Sequence, residues 1–146
     1  MAVSIRKVAL WRTEVEHRPG ALSALLEPLA AAGADLQIVM GYRIPGHETR
    51  AVVEVAPLGT RTLARAAEAA GLAPGGAPTL LVQGDNRPGL ANRIAHALAE
   101  SGVNIAFLVA QVVGRRYSAV FGFESEADLD KAADRIRAAV TSRARR

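Results

Sequence analysis

Apolar residues recur at i, i+3, i+4 and i+7 in two places, Leu22, Leu25, Leu26 and Leu29, and Ala91, Ile94, Ala95 and Leu98. This spacing predicts two amphipathic helices, each with one buried face. An extended run precedes each stripe, Val8 to Glu14 and Thr79 to Gln83, followed by a polar turn that ends in Pro-Gly. Proline suits a helix's first turn, where its missing N–H would have no partner. Gly33 and Gly102 fit the left-handed residue just past a helix end. Alternation at Leu36, Ile38 and Met40, and at Val103, Ile105, Phe107 and Val109, predicts a second strand after each helix. Third strands are expected at Ala51 to Val55 and Ser118 to Phe123. A last helical stripe is clear at Leu129, Ala132, Ala133, Ile136 and Val140. It is poorer at Leu63, Ala66, Ala67 and Ala70. Pro28 falls inside the first helix, where a kink or an early end is expected.

The two halves follow one template. His17-Arg18-Pro19-Gly20 returns as Asn86-Arg87-Pro88-Gly89, 69 positions later. The same offset aligns Leu25 with Ile94, Leu29 with Leu98, Gly33 with Gly102, Asp35 with Asn104 and Leu36 with Ile105, without gaps. A chance Arg-Pro-Gly pair would not carry a matching helix and exit turn, so the chain reads as an internal repeat. The order β-α-β-β-α, twice, predicts an α+β fold, an antiparallel sheet covered by helices on one face. Gly71 to Pro78 is the linker by composition. Domains are expected at 1–73 and 74–146, the second ending in an Arg-rich tail, 141–146. Neither half leaves room for a fourth strand of its own. The halves are therefore expected to share or abut sheets, and to pair as a homodimer, because exposed strand edges invite another chain.

Composition narrows the function. Half of the 146 residues are hydrophobic, enough for a packed core. No apolar run reaches the ~18 residues that span a bilayer, and no secretory signal opens the chain, so a cytoplasmic location and no membrane partner are expected. Cysteine is absent, which removes disulfides and thiolate chemistry. The net charge of +4 suggests nucleic acid, but Arg143, Arg145 and Arg146 account for three of those charges and leave +1 on the rest.

The second repeat, Gly84-Asp85-Asn86-Arg87-Pro88-Gly89-Leu90 with Ser101-Gly102-Val103-Asn104-Ile105, resembles an ACT domain, and the first repeat follows it more loosely. The resemblance implies two ferredoxin-like repeats of order βαββαβ. It also implies an amino-acid ligand held where two such domains meet. It is similar to the regulatory ACT domain of phosphoglycerate dehydrogenase, where asparagines at the two places matching Asn86 and Asn104 bind serine. The candidate site is thus Asp85, Asn86, Arg87, Pro88, Gly89, Leu90, Asn104 and Ile105. A weaker counterpart is His17, Arg18, Pro19, Gly20, Ala21, Asp35 and Leu36. The chemistry agrees, since a helix N-terminus offers free N–H groups and partial positive charge to a carboxylate. A ligand carboxylate at the Gly89 and Leu90 N–H groups is expected, with Gly89 allowing close approach. Amides at Asn86 and Asn104 can hold both ends of a zwitterion, and Asp85 can meet an ammonium. Turn and cap chemistry alone would also favour Asp-x-x-Pro-Gly.

Other chemistries are weaker. His17, His47 and His96 lack metal-ligand spacing, and His96 is expected to be partly packed. Glu14, Glu16 and His17 read as a solvated strand end. Asp128, Asp130 and Asp134 suit a helix start, and Gly75-Gly76 is not a phosphate loop. No catalysis, metal or cofactor is expected. Arg116 to Phe123 faintly resembles an RNA-binding strand, but Phe121 and Phe123 are expected in the core. The expected function is sensing of an amino acid or related metabolite, passed on through association. The alternatives are a regulatory subunit of an amino-acid biosynthetic enzyme and an RNA-binding module.

Overall fold

The structure, a computed structural model, describes residues 3–141. Arg143, Arg145 and Arg146 of the expected tail lie outside the described residues. The elements run β1 (Ser4–Val8), β2 (Trp11–Glu16), α1 (Ala21–Ala31), β3 (Ile38–Arg43), β4 (Arg50–Ala56), α2 (Arg61–Ala69), β5 (Ala73–Pro74), β6 (Thr79–Asp85), α3 (Leu90–Glu100), β7 (Ile105–Val113), β8 (Arg116–Phe123) and α4 (Glu126–Thr141). They form two antiparallel four-stranded sheets, ordered β3-β4-β2-β5 and β1-β6-β8-β7. With helices on one face of each, the architecture is the ferredoxin-like α+β fold that the element order predicts.

The division of the chain differs from the expected cut between 73 and 74. One compact unit is Ala9–Gly76; the other joins the segment through Val8 to the chain from Ala77 onward. The single run expected from Val8 to Glu14 breaks at Ala9 and Leu10. The piece before the break pairs with β6, from Ser4 opposite Gln83 to Val8 opposite Thr79. So β1, from the N-terminus, is the fourth strand of the C-terminal unit, and its Ile5 packs on that unit's core. The N-terminal unit has a fourth strand of two residues, β5, against β2. In this sense the halves share a sheet, as expected. The second half borrows a strand from the start of the chain, and which strand it takes is a long-range choice that a period-2 pattern does not encode.

Helices α1 and α3 have eleven residues each and start 69 positions apart, so Pro28 does not shorten α1. The carbonyl of Ala24, which Pro28 deprives of its donor, lies on an exposed residue where water can serve it, and Ala32 N–H still reaches Pro28 O at 3.1 Å. Gly33 and Gly102 are left-handed as expected. The buried faces are Ala21, Leu25 and Leu29, and Leu90, Ile94 and Leu98. Leu22, counted in the first stripe, is 45% exposed. In the N-terminal unit these helices cover Trp11, Val53 and Val55; in the C-terminal unit they cover Leu80, Val82, Phe121 and Phe123, the last two stacked at 6.3 Å. Phe121 and Phe123 therefore face the helices and cannot form an open stacking platform for bases. No described helix is long and apolar enough to cross a membrane.

Candidate functional site

At the second Pro-Gly turn the chain leaves β6 at Asp85 and enters α3 at Leu90. Asn86 N–H donates to Arg115 O (2.8 Å) and Leu90 N–H to Arg87 O (3.2 Å), which tightens the turn. The Leu90 N–H expected to meet a carboxylate is therefore already engaged. The first-turn donors that a helix leaves unpaired are those of Ala91 and Asn92, beside the positive end of the dipole. Gly89 caps the helix at φ 81°, and no side chain caps it. A Cβ there would meet nothing within 4 Å, so glycine is required by the left-handed backbone, not by close approach. Asp85, proposed for an ammonium, is paired with Arg116 at 3.3 Å. Asn86, Arg87, Pro88 and Gly89 are exposed.

Tyr117 forms the floor. It lies on β8 opposite Gly84 of β6, and a Cβ on Gly84 would come within 3.2 Å of its ring and hydroxyl. Glycine here makes room for the ring. Tyr117 is 7% exposed, and its hydroxyl is buried with no hydrogen-bond partner. Burial pushes the phenol above its ordinary value of 10.0; Arg116 and Arg87 pull the other way, and Asp85 adds to the rise. Sequence reasoning passed over Tyr117, because only the β6–β8 register sets it beside the turn.

Between α3 and β7 the ring of Tyr117 closes one side of a cavity of about 250 Å³, which Asn86 and Leu90 reach from the turn. Ala91, Ile94 and Leu108 line its walls, and besides Tyr117 its only polar side chains are Asn86 and Gln111. A second cavity, of about 620 Å³, lies beyond Tyr117 and Leu90 toward Val3, Asp85, Arg87 and Val140.

The N-terminal unit repeats this geometry with other residues. Gly20 is left-handed at φ 86°, His17 N–H donates to Thr49 O (2.9 Å), and Ala21 N–H donates to Arg18 O (3.3 Å). The cavity beside α1, about 270 Å³, is lined by Glu16, His17, Arg18, Ala21, Tyr42 and Arg43 among others. Glu16 and Arg18 pair at 3.0 Å. Deeper in this unit Glu54 is 3% exposed and accepts from Tyr42 Oη at 3.2 Å.

Asn104 is not brought to Asn86 within the unit. It sits past the C-terminal end of α3, exposed, beside Ile105 at the start of β7, while Asn86 precedes the helix's N-terminus. Eleven helical residues separate the two by about 16 Å. Asp35 and Leu36 hold the same distant place beyond α1; Asp35 is exposed and Leu36 packs on the core. His96, expected to be partly packed, is exposed and pairs with Glu100 at 3.2 Å across one helical turn. Glu14 pairs with Arg50 at 3.5 Å. Asp130 holds Lys7 at 2.7 Å, and that hydrogen bond raises the Lys7 pKa. Among the described residues, no group of three or more His, Asp or Glu side chains could hold a metal ion.

Comparisons with known proteins agree with this fold. No curated protein sequence matches the chain. The crystal structure of protein BT0572 from Bacteroides thetaiotaomicron is 16% identical, with a TM-score of 0.73 over 91% of this chain and 88% of that one. The ligand-free regulatory subunit of aspartate kinase from Thermus thermophilus is 16% identical, with a TM-score of 0.64 over 95% of this chain and 97% of that one. Aspartate kinase from Clostridium acetobutylicum is 17% identical, with a TM-score of 0.61 over 94% of this chain but 33% of that one. The family model of the ACT domain matches residues 79–141, which contain the second Pro-Gly turn, Tyr117 and the apolar cavity.

Proposed function

We propose that the chain is a tandem ACT-domain protein that binds an amino acid or related small metabolite and transmits its presence through association, with no catalysis of its own. On this reading the N-terminal unit is a diverged second copy of the domain. The observation that carries the reading is the cavity at the start of α3, lined by Asn86, Leu90, Ala91 and Tyr117 beside an apolar wall, at the positive end of the helix. A zwitterion fits the turn, its carboxylate at the Ala91 and Asn92 N–H groups and its ammonium at the Asn86 amide oxygen. Asn104 joins such a site only from another copy, because it lies at the far end of α3. That agrees with the similarity to the serine-binding domain of phosphoglycerate dehydrogenase and with a ligand held between domains.

A homodimer is supported by β7. It is an edge strand of nine residues with no charged side chain, and Leu108, Val109, Val112 and Val113 are 46–69% exposed. Such an edge pairs with another chain unless something covers it. A partner enzyme is the second route of transmission, favoured by the shared fold with a separate regulatory subunit of aspartate kinase.

A thermal-shift screen with the twenty amino acids tests the proposal. Ligand at 100 times its Kd stabilises by about 2.7 kcal/mol, which is several degrees for a domain of this size. A shift with one or a few amino acids is expected. No shift with any of them, together with salt-dependent RNA binding, would overturn it.

A further inference from the structure

We propose that the C-terminal unit binds an amino acid with an apolar side chain, that the N-terminal unit does not, and that each chain therefore holds one such ligand. This rests on the amino-acid reading above and specifies its ligand class and stoichiometry.

The walls decide the class. Once the α-amino and α-carboxylate groups sit at the turn, a ligand side chain extends along α3 past Ala91 and Ile94 toward Leu108 on β7. No charged side chain lines this space. Asp85, the nearest acid in the turn, is held by Arg116 and is not among the lining residues. A ligand carboxylate or ammonium side chain would lose its water without gaining an opposite charge, which is costly. An aliphatic or aromatic side chain gains from the same transfer, at about 25 cal/mol per Å² of apolar surface. The size also fits. An apolar cavity of about 150 Å³ accepts a benzene-sized group, so about 250 Å³ takes such a side chain with its backbone atoms at the mouth.

The N-terminal unit supplies an internal comparison on the same scaffold. Its cavity is similar in volume, but the positions 69 residues earlier replace Asn86 with His17, Ala91 with Leu22 and Val112 with Arg43. Glu16 and Arg18 also line it. An apolar ligand there would strip water from charged groups and return nothing to them. The two repeats keep the turn and the helix start, and differ in the walls that read a side chain.

Calorimetry on the full chain tests this. Leucine, isoleucine, valine, methionine and phenylalanine are titrated beside serine, aspartate and lysine. The expected result is one site per chain, with at least one apolar amino acid tenfold tighter than all three polar ones. Ala91→Trp fills the mouth at an exposed helix position and is expected to weaken binding at least tenfold. Leu22→Trp, at the matching position of the other unit, leaves binding unchanged. Ala95→Phe, also exposed on the cavity wall, repeats the block should the tryptophan disturb folding. Tighter binding of serine, aspartate or lysine, two equal sites per chain, or loss with Leu22→Trp but not Ala91→Trp overturns the proposal and leaves amino-acid sensing standing. Absence of binding by every amino acid overturns both.

Discussion

Ile5→Ala tests the borrowed strand. Ile5 lies on β1, opposite Val82 of β6, and is partly buried against the core of the C-terminal unit. Full burial would make Ile→Ala worth about 2–5 kcal/mol; at partial burial about 1–2 kcal/mol is expected. For a unit of this size that lowers the melting midpoint by roughly 5–10 °C. The single tryptophan separates the units, because Trp11 is 8% exposed in the core of Ala9–Gly76 and reports on that unit. Melts followed by circular dichroism and by tryptophan fluorescence are the assay. Part of the dichroism transition should move to lower temperature while the Trp11 transition stays in place. An unchanged melt, or a loss confined to the Trp11 signal, would refute the assignment of β1 to the C-terminal unit.

Three further outcomes follow from the same geometry. Tyr117→Phe removes a buried hydroxyl that has no partner, so the ligand-free protein is expected to gain about 1 kcal/mol in urea denaturation, and a loss of that size would contradict the geometry. Burial raises the phenol pKa of both tyrosines, Tyr42 and Tyr117, above 10.0, and the Glu54 carboxylate adds to the rise at Tyr42. The folded state holds these protons longer than the unfolded one. Their contribution to stability is thus complete below pH 10 and is lost as pH rises through the native values; an ultraviolet phenolate titration with a midpoint at or below 10 would contradict it. Val109→Lys puts a charge on an exposed position of edge strand β7 and is expected to turn a dimer into a monomer by light scattering, whereas a dimer that persists at the same concentration places the interface elsewhere.

Much of the scaffold was legible in the chain. The repeat of Arg-Pro-Gly at 69 positions placed both helix starts, and Gly33 and Gly102 marked both helix ends, because these features are local and each has one backbone solution. The destination of β1 was not legible. The sequence shows one extended run, Val8 to Glu14, and nothing in its alternation says that Ser4–Val8 pairs with β6 while Trp11–Glu16 pairs with β4. The site shows the same limit. Asn86 lies at the turn where its motif puts it, but Asn104, expected to share a ligand with it, is a helix length away within the unit. Tyr117 and Gly84 are 33 positions apart in sequence and meet only through register. The wall that distinguishes the two repeats depends on β7 and β8 lying beside α3, which no local pattern reveals.

Backbone amide shifts in the presence of the amino acid that binds test the account most directly. Titration should move Asn86 to Asn92, with Gln111, Val112 and Tyr117 beside them, and leave His17 to Leu22 unmoved. Shifts centred on His17 to Leu22, or spread over α2 and α4 with the second Pro-Gly turn silent, would contradict the site.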